Sequence, residues 1–136
     1  MTENGGSGAA VRWCSLTIDC PDDEGAPEAL QTFYARALDG EVVRGAVRAR
    51  GLVLSFRGVQ GYRAPTWPGS QTPMQMHLEL VVDDLAEAVA RLRQLGASLP
   101  DHQDPDDPHL TVLLDPTGHP FCVIAAAAVH PDYEPT

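Results

Sequence analysis

The residues with the most chemistry to offer fall in one short stretch. Residues 74–81 alternate Met74, Met76, Leu78 and Leu80 with Gln75, His77, Glu79 and Val81. That alternation predicts a half-buried strand, and side chains on a strand repeat direction every second residue. The His77 imidazole and the Glu79 carboxylate therefore point the same way. An imidazole has an unperturbed pKa near neutrality and can shuttle a proton at physiological pH. A His/Glu pair could take a proton from the carbon next to a carbonyl. A guanidinium nearby could stabilise the resulting enolate, or hold a carboxylate or phosphate of the ligand. Arg57 is the candidate for that role, because in 51–57 it shares a face with Val53 and Ser55, opposite Leu52, Leu54 and Phe56.

The elements that must position these groups repeat along the chain. Residues 12–18 alternate, with Cys14, Leu16 and Ile18 on one face and Trp13, Ser15 and Thr17 on the other. Asp22, Asp23, Glu24, Pro27 and Glu28 then signal a helix start. Leu30, Phe33, Tyr34, Ala37 and Leu38 recur at helical spacing up to Gly40, and strands follow at 41–45 and 51–57, with a weak one near 46–49. After a connector at 61–73, rich in Gly and Pro, the order recurs: the strand at 74–81, a helix at 85–95 opened by Asp83 and Asp84, and strands near 97–99, 109–114 and 119–125. A shift of 62 residues places Leu16, Ile18 and Asp22 on Leu78, Leu80 and Asp84, and near the module ends a shift of 65 places Arg57 on Cys122. The repeated order predicts a tandem duplication.

If the apolar strand faces meet the helices, the opposite faces hold Trp13, Ser15, Thr17, Ser55, Arg57, Gln75, His77, Glu79 and Cys122, a set too polar for a core. Structural alternatives stand beside each function. His77 could be a hydrogen-bonded framework residue, Glu79 and Arg57 could form an ion pair, and Cys122 could be a small inert hydrophobe. Trp67, on the connector, would line the ligand site or pack under its loop. Phe33 and Tyr34 would be core or interface residues, and His119 would fix the turn at 115–118.

The chain has 136 residues and a net charge of −10. A chain so acidic is a poor partner for nucleic acid or an anionic membrane. All nine basic residues are Arg, and five of them (44, 48, 50, 57 and 63) form an acid-free island at 42–78. Such an island is ordinarily a solvated face, and it could also lend an Arg to a ligand site. No run of apolar residues is long enough to span a bilayer, and residues 1–10 read as a disordered lead without the pattern of a signal peptide. Cys14, Cys20 and Cys122 are odd in number and lack C-x-x-C spacing, which fits a reducing cytoplasm.

The stretches LTIDCPDD, ALQTFYARALDG, FRGVQGY, PTWPG, QMHLELVVDDLAEAVARLRQLGA and LLDPTGHPFCVI, taken in order, resemble glyoxalase-like proteins of the vicinal oxygen chelate superfamily (glyoxalase, bleomycin resistance and dioxygenase proteins). The resemblance implies an α+β fold. Two tandem βαβββ modules (11–60 and 74–126, with the connector at 61–73) would form a curled mixed sheet, a cup with helices outside, in a single domain over 11–126. Residues 127–136 would be a loose tail. It also implies a small-molecule ligand and a homodimer. Metal-using relatives draw four ligands from the first and last strands of each module. Residue by residue, those positions carry Ser15, Arg57, His77 and Cys122. Arg cannot coordinate a cation. No cofactor is therefore expected, and His77 with Cys122 would be the ligands if a divalent metal did bind. The implied function is a metal-independent lyase or isomerase acting on a small carbonyl or anionic metabolite. Its catalytic residues would be His77 and Glu79, and its binding residues Arg57, Ser15, Gln75, Cys122 and Trp67. The alternative is a non-catalytic protein that sequesters a small molecule, as in bleomycin resistance, and the residues leave enzyme and binder both open.

Overall fold

The structure, a computed structural model, describes residues 8–73 and 75–135. Most of the lead at 1–10, together with Met74 and Thr136, lies outside the described residues. The chain is α+β, with seven strands and two α-helices among the described residues. Two compact units divide it. One comprises Ser15–His77 with Asp132–Thr136; the other comprises Leu78–Pro131 with the N-terminal stretch through Cys14.

In the first unit, strand β1 (Val11–Pro21) leads through Gly25 into helix α1 (Ala26–Ala37). Pro27 lies in the first turn of the helix, and Glu28 and Arg36 complement its dipole at the two ends. Strands β2 (Glu41–Val43), β3 (Ala46–Ala49) and β4 (Leu52–Val59) follow, in the sheet order β2-β3-β4-β1. The stretch at 46–49 is a full strand, with Val47 completely buried. Its brevity comes from the turns on either side. Arg44 and Gly45 both have positive φ between Val43 and Ala46, as do Arg50 and Gly51 between Ala49 and Leu52. Two consecutive positive-φ residues make the hairpin turn whose twist suits adjoining strands. Strand β1 then pairs with β4 in parallel, Leu16 opposite Leu54 through Pro21 opposite Val59. Ile18, Val47 and Leu54 form the core, with Leu16, Tyr34, Ala35, Leu38 and Phe56 packed on it. Burial of each such aliphatic side chain contributes about 1.5–3 kcal/mol. Tyr34 stacks on Phe56, whereas Phe33 is 59% exposed and only meets Tyr34 edge-on.

The second unit repeats the plan with strand β5 (Met76–Val82), helix α2 (Leu85–Gln94), β6 (Leu110–Leu114) and β7 (Pro120–Ala125), ordered β5-β7-β6. Again the first strand pairs with the last in parallel, Glu79 opposite Cys122. The strand expected near 97–99 is reduced to one bridge, Ser98 with Leu114. Gln103 takes over the rest of that edge, its side-chain amide bonding both the N–H and the carbonyl of Val112. Val82, Ala88, Leu113 and Val123 make the core. Leu95, expected on the buried helix face, is 63% exposed because the helix has already ended there.

Both chain ends are tied down where they are described. Gly8 accepts the Asp84 N–H. The tail expected to be loose is anchored: Arg48 bonds the carbonyls of Asp132 and Glu134, and the Tyr133 hydroxyl donates to the Arg44 carbonyl. Tyr133 and Arg48 supply this anchor without any apolar periodicity, which is why the tail read as unstructured. Among the described residues, no helix is long and apolar enough to cross a membrane.

Candidate functional site

On β5, the core-facing Val82 sets the alternation. Val82 turns toward α2, so His77 and Glu79 fall on the opposite face of the strand. On β7, Phe121 and Val123 pack on the α2 side, which leaves Cys122 on that same opposite face. The ladder then sets Cys122 directly across from Glu79. Nitrogen, oxygen and sulfur atoms of His77, Glu79 and Cys122 all lie within 4.8 Å of one another, with each residue half-buried. Division of the chain into units falls between His77 and Leu78, inside this strand. His77 is nevertheless held to Glu79 by two residues of continuous backbone in β5. The structure thus brings together three of the sequence-predicted residues.

In the first unit, the face of β1 and β4 turned away from α1 carries Ser15, Thr17, Ser55 and Arg57. Ser15 and Thr17 are buried, and the Thr17 and Ser55 hydroxyls bond each other at 2.8 Å. Arg57 is 63% exposed, and its guanidinium lies 3.9 Å from the Asp19 carboxylate, its neighbour across the ladder. Asp19 was absent from the sequence-predicted set. The alternation of Trp13, Ser15 and Thr17 continues to it, but the acidic run that follows was read as the approach to the helix. Gln75 accepts the Asp19 backbone N–H at 3.0 Å. The Oδ1 of Asp19 and the Oε1 of Gln75 are buried and have no hydrogen-bond partner among the described residues.

Trp67 does not pack under its loop. It is 89% exposed, at the edge of a loop that Thr66 and Thr72 close on themselves through three hydrogen bonds. Asp115, more than His119, fixes the turn at 115–118. Its carboxylate accepts from the N–H groups of Thr117 and His119 and from the Thr117 hydroxyl. The backbone bond from His119, then those from Thr117, hold that carboxyl below its ordinary pKa. Burial, and then the charges of Asp19 and Glu28, push the Cys20 thiol up. Two open surface clefts, of about 460 and 680 Å³, lie at the β2–β3 edge beside Arg48 and Arg50 and between α2 and Leu99, Gln103 and Thr111. Neither includes His77, Glu79 or Cys122.

Residues 15–124 match the family described as a glyoxalase-like domain. The chain belongs to the glyoxalase-like family. An uncharacterised protein from Methanosarcina mazei shares the fold, with a TM-score of 0.52 at 13% identity over 89% of this chain and 97% of its own. A glyoxalase/bleomycin resistance protein/dioxygenase superfamily member from Vibrio splendidus 12B01 aligns with a TM-score of 0.45 at 14% identity, over 82% of this chain and 97% of its own. No curated protein matches the chain.

The two ladders also revise one position of the ligand set that the family implies. Thr17 lies opposite Ser55 and Glu79 lies opposite Cys122. Thr17 and Glu79 are related by the 62-residue shift of the first strands, so Ser55, not Arg57, is the counterpart of Cys122. Arg57 sits one step further along the same face, beside Asp19. The first module therefore offers Ser15 and Ser55 hydroxyls, which are weak neutral donors, and the four-ligand set split between modules does not fit this chain.

Proposed function

We propose that this protein binds a small carbonyl-bearing or anionic metabolite and moves a proton on it, as a lyase or isomerase whose proton step uses no metal. His77 is the base and Glu79 its carboxylate partner. The observation that carries this reading is the convergence of His77, Glu79 and Cys122 within 4.8 Å on one strand pair. Breaking the C–H bond would deliver the proton to an imidazole nitrogen and leave the electron pair as an enolate. A carboxylate at this range favours the imidazolium so formed.

Two further features support a polar ligand. Asp19 and Gln75 each hold a buried acceptor without a hydrogen bond among the described residues. Leaving such an atom unmatched costs about 1–3 kcal/mol, so a molecule bringing N–H or O–H donors would gain by meeting it. Arg57 is exposed enough to reach an anion, with Asp19 tempering its charge.

Proton exchange into D2O, followed by NMR on a panel of 2-oxo acids and hydroxyaldehydes in chelator-treated buffer, tests the reading. The native protein should accelerate loss of the proton next to the carbonyl. His77→Gln should slow it by about 100-fold or more, with an unchanged circular dichroism spectrum. Tight binding without exchange, altered only in affinity by His77→Gln, would replace this reading with a sequestering protein.

A further inference from the structure

We propose that the cleft beside helix α2 is a second binding site, for a small amphipathic carboxylate whose apolar chain lies along the helix and whose head group meets Arg93. The cleft has a volume of about 680 Å³ and belongs wholly to the second unit. It is on the α2 face of the strands, the face turned away from Glu79 and Cys122, so it stands or falls apart from the proton-transfer reading.

The cleft exists because the second module lacks a full strand at its edge. Three strands follow α1, whereas only β6 and β7 follow α2, with a single bridge at Ser98. Beyond Ser98 the chain leaves the sheet edge, and Leu99 and Pro108 face Val89 and Ala90 of α2 across the gap. Leu99 stays 44% exposed as a result. Gln103 holds the far wall in place through its two bonds to Val112, so a ligand would meet a preformed surface. The helix from Leu85 to Arg93 runs along the cleft for roughly 12 Å, the extended length of a chain of about ten carbons.

Charge selects the head group. The chain carries 19 acids against nine Arg, yet the cleft is lined by no acid and by one Arg, Arg93. Side chains three and four residues apart are neighbours on a helix. For Arg93 these are Val89, Ala90, Gly96 and Ala97, none of them acidic. Among the described residues Arg93 forms no ion pair. Asp104 and Asp107, close to Pro108 in sequence, turn their carboxylates onto the N–H groups of Asp106 and His109. A guanidinium at the end of an apolar trough suits a carboxylate on an apolar chain.

The test titrates full-length, nitrogen-15-labelled protein with decanoate below its micelle concentration, followed by NMR, with decanol as the uncharged counterpart. Decanoate should give saturable shifts centred on 85–93, 99 and 108–111. Arg93→Met keeps the stem and should weaken decanoate binding about fivefold or more, without changing that of decanol. Arg91→Met should change neither, because Arg91 lies outside the lining. Ala90 is exposed on the helix, so Ala90→Leu should fold, fill the trough and remove the shifts. Decanol binding the native protein as tightly as decanoate would reduce the site to an unselective apolar groove and overturn the proposal. So would native affinity in Arg93→Met, undiminished binding by Ala90→Leu, or no saturable shift along α2.

Discussion

Glu79 stands directly opposite Cys122 on paired parallel strands, as Asp19 stands opposite Arg57 in the other module. The two pairs are not counterparts, because the 62-residue shift places Thr17, which faces Ser55, on Glu79. One module sets a carboxylate against a thiol with an imidazole two residues away; the other sets a carboxylate against an exposed guanidinium. Strand order and direction were preserved while the chemistry separated, so the second module holds the reactive cluster and the first holds hydroxyls and charge.

Helix α2 depends on one side chain at its start. Asp84 is its N-cap, and Oδ1 accepts the Glu87 N–H at 3.0 Å. Asp84→Ala should lower stability by about 1 kcal/mol, the usual worth of such a cap. Urea unfolding should show a lower midpoint with an unchanged slope.

The turn at 115–118 should weaken in acid. Asp115 has a folded pKa below its unfolded value of about 3.9, so its stabilising effect is complete above that unfolded value. It is lost as the pH falls through the lowered folded value. Asp115→Asn keeps the acceptor and removes the ionisation. Unfolding free energy measured from pH 5 downward should fall less steeply for the variant; identical slopes would show that Asp115 contributes nothing to acid sensitivity.

Arg48 ties the C-terminal segment to β3 and β2. It bonds the carbonyls of Asp132 and Glu134 and pairs with Glu41 at 2.7 Å. Arg48→Met keeps the aliphatic stem and removes the donors. Hydrogen exchange should quicken at 131–135. Global stability should change by only about 1 kcal/mol, because the Glu41 side of the pair is 61% exposed and screened by solvent.

Much of this was legible in the residues themselves. Period-two alternation at 76–82 and period-3.6 recurrence at 85–94 are local consequences of backbone geometry, so β5 and α2 emerged near their true limits, with His77 and Glu79 on one face. The repeat and the family resemblance supplied the order of the other elements. Local pattern could not reach what depends on pairing between distant segments. Whether 46–49 was a strand depended on β4 beside it, and whether 98 was one depended on Gln103 occupying the edge of β6. The counterpart of Cys122 was a matter of ladder register, where a two-residue slip keeps every side chain on its face while changing its neighbour. Alternation alone could therefore name Arg57 and Ser55 equally. Only the pairing of Thr17 with Ser55, and of Glu79 with Cys122, decided between them and brought a thiol, a carboxylate and an imidazole to one place.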